Sequence, residues 1–317
     1  MMKKKVFVML VLFVLIGGLV FAGGKKESAS KFPVKPITII VYTKPGGLID
    51  VTARKFTDIA KKYTNATFVV ENKPGSGGIV AMKYVLGGKA DGYTLMAVTK
   101  SNIAKIVSTK ADINVGDMDW LAMLMADPEC VITNKTLPIN TWQQVVADAK
   151  AKNGNQIWVG PAVGGLDYVV ALKIWKAFGI KAKWVPFASG GKAMAALLGK
   201  QGVAYVGNPR DIAGKPDLKI AVISSPKRLK EFPNVPVFNE FGVKGLDNEV
   251  MWRGFAVKKG IPEVAKKWYA DLFEKVSKDK DWRGFWEPYG IKVTYYGSDK
   301  FNEMVKKDLA DFKAYLK

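Results

Sequence analysis

From Lys31 onward, short apolar runs of strand length alternate with stretches whose apolar residues recur every three or four positions. That alternation is the pattern of an α/β protein. It predicts strands at 37–42, 67–70, 93–98, 157–160, 182–186, 203–206, 219–223, 254–257 and 291–295, with helices between most of them. Ala53, Phe56, Ile59 or Ala60, and Tyr63 share one helical face, as do Phe301, Met304 or Val305, Leu309, Phe312 and Leu316. Thr141 and Gln144 form a capping box that opens a helix reaching Ala151, and Ser298 is placed to cap the last helix. Asp91-Gly92 and Asn153-Gly154 read as turns. No internal repeat or low-complexity segment interrupts the pattern.

The first residues break it. MMKKK precedes an apolar or glycine run over residues 6–22 that ends in Val20-Phe21-Ala22. This is the form of a secretory signal peptide, 1–22, cleaved after Ala22 and followed by a polar linker, 23–31. The alternative is an uncleaved anchor, although the run falls short of the roughly 20 apolar residues that span a bilayer comfortably. With no cysteine near Ala22 to acylate and no second long apolar run, the expected product is a soluble exported, periplasmic protein.

The 317 residues carry 49 Lys plus Arg against 28 Asp plus Glu, a formal net charge of +21 that becomes +18 without Lys3, Lys4 and Lys5. The lysines are scattered, with nothing denser than pairs such as Lys61-Lys62, so the excess reads as a solvated basic surface with some pull on anions and not as a nucleic-acid footprint. There is no histidine, which removes the commonest general base and metal ligand. The single cysteine, Cys130, cannot form an internal disulfide and reads as a small buried residue. No paired carboxylates or metal-ligand cluster stands out, and no cofactor is implied.

Three loops could carry chemistry. Lys44-Pro45-Gly46-Gly47-Leu48-Ile49-Asp50 follows the first strand and enters a helix. Its glycines allow close backbone approach, and the helix start offers free N–H groups to an anion, whereas Asp50 could instead cap that helix. Gly160-Pro161-Ala162-Val163-Gly164-Gly165-Leu166-Asp167 and Ala188-Ser189-Gly190-Gly191-Lys192 repeat the arrangement. Loops at strand ends feeding helices are where open α/β sheets bind ligands. The nucleotide fingerprints fail: Gly75-Ser76-Gly77-Gly78 lacks the final glycine of a dinucleotide loop, and Gly190-Gly191-Lys192-Ala193 lacks the hydroxyl residue of a phosphate loop.

The segments KPITIIV, PGGLIDVTAR, VVENKPGSGGIVAMKYV, ADGYTLMAVT, LPINTWQQVVADAKA, VPFASGGKAMAALLGKQ, KIAVISSPKRLKEFPNVPVFNEFG and MWRGFAVKKGIP, in that order, resemble the substrate-binding proteins of tripartite tricarboxylate transporters. The likeness covers nearly the whole mature chain. It implies a two-lobed type II periplasmic-binding-protein fold, a Venus flytrap with two inter-lobe crossings. Lobe 1 would hold 32–133 plus 253–317, and lobe 2 would hold 134–252. It further implies a monomeric receptor, not an enzyme, that delivers a small organic acid to a permease of one large and one small membrane subunit. The implied ligand residues are Lys44, Pro45, Gly46, Gly47, Leu48, Asp50, Pro161, Ala162, Gly164, Gly165, Asp167, Ser189, Gly190 and Asn208.

Several positions depart from the family pattern. Leu48 and Ile49 stand where a glycine and a hydroxyl residue are usual, Phe187 and Ala188 replace a tyrosine and a lysine, and Gly207 followed by Asn208 replaces a frequent aspartate. Hydroxyl donors are thinned and apolar contacts added, so a citrate-like polyanion gives way to a smaller or more apolar acid. Lys44, Lys192, Arg210 and Arg253 could supply charge. Other readings stay open: the same receptor for a neutral or amino-acid-like solute, a ligand sensor that docks to a signalling protein, an enzyme using Cys130 on an apolar strand near the crossing, and a surface protein binding acidic polymers.

Overall fold

The structure, a computed structural model, describes residues 31–316, so the expected signal segment and all but the end of the linker lie outside the described residues. Among those residues the strands form two sheets. The first contains β1 (Ile37–Val41), β2 (Phe68–Asn72), β3 (Thr94–Thr99), β4 (Met118–Pro128), β10 (Val250–Lys258) and β11 (Lys292–Gly297), in the order β11-β4-β10-β3-β1-β2. The second contains β5 (Cys130–Asn134), β6 (Ile157–Pro161), β7 (Lys183–Phe187), β8 (Ala204–Gly207) and β9 (Leu218–Ile223), in the order β7-β6-β8-β5-β9. Each sheet with its helices is one lobe.

Helices α1 (Leu48–Ala60), α2 (Ile79–Gly87), α3 (Lys100–Ser108), α7 (Glu263–Lys278), α8 (Lys280–Trp286) and α9 (Ser298–Tyr315) belong to the first lobe. The second has α4 (Trp142–Lys152), α5 (Leu166–Phe178) and α6 (Gly190–Leu198). In the first lobe Phe56 of α1 packs on Phe255 of β10 at 4.7 Å between centroids, and Phe255 stacks on Phe273 of α7 at 5.1 Å. In the second, Trp142 meets Phe178 edge-on at 4.9 Å and Phe238 at 5.7 Å. Such offset and edge-on pairs hold the helices at a fixed angle to the sheets.

The strand pairing sets where the chain passes between lobes. β1 runs parallel to β2 and β3, and β6 parallel to β7 and β8, so the loops after β1, β3, β6, β7 and β8 emerge at the facing edges. The lobe boundaries differ from the sequence expectation. Cys130 to Thr133 pair with β8 and β9 of the second sheet, and Val250 to Trp252 pair with β4 of the first. The crossings therefore lie at Glu129 and at Glu249, not at Thr133/Asn134 and Trp252/Arg253. The apolar run from Trp120 to Ile132 continues through the switch and hides it. The two crossings are tied together: Glu129 N–H donates to Glu249 O at 2.8 Å, and Ser224 N–H to Glu129 O at 2.8 Å.

Most predicted elements fall within a residue or two of their observed limits. Neither β4 nor β5 was among the predicted strand ranges; β4 lies between β11 and β10, β5 between β8 and β9, and both are buried along nearly their whole length, so neither shows a period-2 alternation. The capping box at Thr141 forms with both of its hydrogen bonds. Ser298 does not cap α9. Gly297 occupies the N-cap, and the Ser298 hydroxyl accepts from Asn302 Nδ2 at 3.1 Å.

Candidate functional site

The loop from Lys44 to Asp50 is held from below by Asp50. Its carboxylate accepts the Gly46 N–H at 2.9 Å, the Asn72 amide at 2.9 Å and the Arg54 guanidinium at 3.0–3.1 Å. Burial pushes the Asp50 carboxyl up, but Arg54, the Gly46 N–H and Asn72 outweigh it and hold the group below its usual range. Asp50 thus organises the loop, and its oxygens are committed there. Gly46 adopts φ +84°, where a Cβ would be strained. Gly47, the N-cap, has no side chain to satisfy the start of α1, whose amides stay available beside exposed Lys44 and Pro45 and half-buried Leu48.

The second loop, Pro161 to Asp167, enters α5 through Gly165, again a cap without a side chain. Helix α3 of the opposite lobe grips it. Lys105 Nζ donates to Val163 O, Ser108 Oγ donates to Gly164 O at 3.1 Å, and the Leu166 N–H donates to Ser101 Oγ at 3.2 Å. Gly164 is buried with φ +79°, and a Cβ there would land on the Ser108 side chain. Lys105 is 9% exposed, and burial lowers its pKa. Ala162 is exposed and Pro161 half-buried.

The third loop contributes less. Ser189 is exposed, and its hydroxyl caps α6 by accepting the Lys192 N–H at 3.3 Å, while Gly190 is half-buried against the Tyr205 hydroxyl.

Beside Asp167 of the second loop lies a buried polar network that the sequence pattern did not assemble. Arg253 and Asp127 sit on neighbouring antiparallel strands, offset diagonally on one face. The Arg253 guanidinium donates to Asp127 and, at 3.2 Å, to Asn208 Oδ1. The Asn208 amide donates to Pro128 O and to Glu129 Oε1, each at 3.1 Å. Asp211 accepts the Asn208 N–H at 3.0 Å and the Tyr205 hydroxyl at 3.4 Å. Asp127, Glu129, Asp167, Asn208 and Arg253 are all less than a tenth exposed.

Burial dominates the titration of these acids. It raises Asp127 to about 6 in spite of Arg253, and it raises Asp167 to about 7 with help from the negative charge of Asp211. Glu129 is pushed well above the ordinary range by burial and by the neighbouring Asp167. Burial also pushes the Cys130 thiol far up, which keeps it from being a thiolate nucleophile.

Of the cations expected to supply charge, Lys44 and Lys192 are exposed and Arg253 is committed inside the network. Arg210 lies across the lobes, its guanidinium carbon 4.1 Å from the Tyr289 ring and 4.4 Å from that of Phe285. The residues missed were Lys105, Asp127, Glu129 and Asp211. One signal was present: in Ala126-Asp127-Pro128-Glu129-Cys130 two acids flank a proline inside an apolar run, where charge is costly without a reason. Among the described residues no group of three or more His, Cys, Asp or Glu is arranged to hold a metal ion, and no helix is long and apolar enough to cross a membrane.

Known proteins share this architecture. MatC from Rhodopseudomonas palustris with bound malate superposes with a TM-score of 0.81 at 21% identity, covering 90% of this chain and 100% of that one. A TctC solute binding protein from Polaromonas gives 0.68 at 25% identity, over 90% and 99% of the respective chains. In sequence, a UPF0065 protein of Cupriavidus necator is 25% identical over 295 residues, which is 92% of this chain and 89% of that one. The profile of the Tripartite tricarboxylate transporter family receptor matches residues 52–317. The chain belongs to that family of periplasmic solute receptors.

Proposed function

We propose that this protein is an extracytoplasmic receptor that closes its two lobes on a small organic acid and presents the closed form to a tripartite tricarboxylate-type permease with a large and a small membrane subunit. The observation that supports the reading is the clasp of α3 of one lobe on the loop from Pro161 to Asp167 of the other, a loop that enters α5, as the loop from Lys44 to Asp50 enters α1, through a cap without a side chain. Amides at helix starts favour anions, and Lys105 adds a positive charge on the inner side of the clasp. Malate, the ligand bound to MatC, is a molecule of this class.

In this reading the ligand is lined by Lys44, Pro45, Gly46, Gly47 and Leu48 from one lobe and by Pro161, Ala162, Gly164 and Gly165 from the other. Ser189 and Gly190 close the far side, and the receptor works as a monomer after export by its signal peptide. Ligand binding shifts the population towards the closed arrangement, which the permease recognises. The test is calorimetry of the refolded mature chain against a panel of mono- and dicarboxylates. Micromolar binding of at least one, lost in Lys105→Ala, is expected; a folded sample that binds no carboxylate overturns the reading.

A further inference from the structure

The loop from Gly75 to Gly78 fails as a nucleotide fingerprint and plays no part in the site described above. Four successive residues in it take positive φ: Gly75 at +153°, Ser76 at +46°, Gly77 at +63° and Gly78 at +108°. L side chains resist that region, and three of the four positions are glycine. The path lays the loop backbone against helix α3. Gly77 O accepts from Asn102 Nδ2 at 3.3 Å, and a Cβ on Gly77 would lie 2.5–2.8 Å from Cγ, Cδ and Cε of Lys105. A Cβ on Gly78 would strike the same Asn102 amide and come within 3.3 Å of the Tyr42 ring.

The Lys105 side chain therefore lies along bare backbone, and Lys105 is 9% exposed. Its Nζ goes on to donate to Val163 O of the opposite lobe. The need for positive φ does not explain this fit. Gly46, Gly214 and Gly242 also take positive φ, and nothing lies within 4 Å of a Cβ built on them. The seat is braced from the side of the first loop as well. Asn102 is fully buried; its Oδ1 accepts the Thr99 N–H at 2.8 Å while its amide holds Gly77 O. The Thr99 hydroxyl lies 2.8 Å from that of Tyr42, just before the first loop. A lysine stem is long and freely rotating, and its freedom is lost when Nζ is held at one point. A seat that already confines the stem lowers that loss on contact.

We propose that Gly77 is a positioning residue for lobe closure: its bare backbone seats the Lys105 stem so that the ammonium reaches Val163 O, and the loop from Gly75 to Gly78 thereby sets how the two lobes meet. The seat acts through Lys105. Its meaning for solute capture rests on the receptor function proposed above, whereas its effect on the lobes does not.

A double-mutant cycle on the full mature chain, read as the spacing between lobes, tests the seat. Nitroxides on Lys83→Cys of α2 and Lys150→Cys of α4, both exposed, report that spacing by electron–electron double resonance, and buried Cys130 stays unlabelled. Asn tolerates the left-handed region, so Gly77→Asn brings a side chain into the path of Lys105 with little backbone strain. Gly77→Asn and Lys105→Ala are each expected to shift the distance distribution of the ligand-free protein to longer spacings, with no further shift when they are combined. Gly242→Asn, at a positive φ with open space around it, is expected to leave the distribution unchanged. An unchanged spacing in Gly77→Asn, an equal shift in Gly242→Asn, or shifts that add in the double variant overturn the proposal. Where Gly77→Asn does not fold, restoration of folding by Lys105→Ala supports the seat, and loss of folding in both backgrounds overturns it. A cycle that behaves as expected in a protein that binds no carboxylate leaves the seat standing without the receptor function. Carboxylate binding with additive shifts does the reverse.

Discussion

The guanidinium of Arg210, from the second lobe, lies over the ring of Tyr289 of the first at 4.1 Å and donates to Phe285 O at 3.2 Å. Phe285 and Trp286 complete an aromatic cup around it at 4.4 and 5.1 Å. This contact and the α3 clasp join the same two lobes through different elements. Cation–π contacts of this kind contribute about 0.5–2 kcal/mol. Arg210→Ala is therefore expected to weaken ligand affinity about 3- to 30-fold through a less favoured closed form. Small-angle scattering with and without ligand checks the cause: the variant needs more ligand to reach the same compact radius, and an unchanged affinity refutes the role.

Gly164 offers a sharper probe of closure. Its positive φ and its contact with Ser108 mean that Gly164→Ala both strains the loop and drives a methyl group into α3. The expected result is a protein that folds but cannot close, with ligand binding lost by calorimetry and an open radius at all ligand concentrations. Normal closure in this variant shows that the clasp is not part of the ligand-bound form.

The first lobe is stapled by Asp308 of α9, which accepts from Trp252 Nε1 at 2.6 Å and from Lys100 Nζ at 3.0 Å. Both partners are mostly buried, so Asp308→Ala leaves two donors unanswered. A loss of about 2–4 kcal/mol in urea unfolding is expected. A loss below about 0.5 kcal/mol, the range of ordinary surface substitutions, contradicts the assignment.

Asp167 and Asp279 pull the pH dependence in opposite directions. Burial raises the Asp167 carboxyl to about 7, so from the unfolded value of 3.8 upward the unfolded chain ionises more readily and stability declines, levelling off above about 7. Asp167→Asn is expected to raise the melting midpoint of the ligand-free protein at pH 8 and to change it little at pH 4. An equal effect at both pH values shows that charge is not the cause.

At Asp279 burial alone raises the carboxyl, but Tyr63, Lys62 and the N–H groups of Asp281 and Trp282 hold it at about 2. Its contribution is complete above 3.8 and fades as the pH falls towards 2. Acid titration of Asp279→Asn, followed by circular dichroism, should show a shallower loss over that interval than the wild type shows.

Much of this protein was legible in its sequence, for reasons that can be named. β1 is a run of β-branched residues between turn signals, and the Thr141 capping box announces α4 by its spacing alone. The loops after β1 and β6 were singled out because glycines recur where each strand feeds a helix, and the structure places both at helix starts with glycine caps. β4 escaped because a strand buried on both faces loses the alternation by which strands are recognised. The acid network escaped for a different reason: Asp127, Glu129, Asp167 and Asp211 come from separate strands and loops, and only the chain's passage between sheets brings them together. Asp50 was read as a ligand residue or a helix cap; its bracing of its own loop was not legible, because its partners Arg54 and Asn72 are set by the tertiary packing of β2 against α1.

Glu129 joins a backbone tie to a buried side chain with an unpartnered oxygen. Its backbone laces the two crossings together, and its Oε2 has no hydrogen-bond partner. A change at that side chain therefore acts where both connections between the sheets pass, so a substitution at position 129 disturbs the junction itself and not one sheet alone.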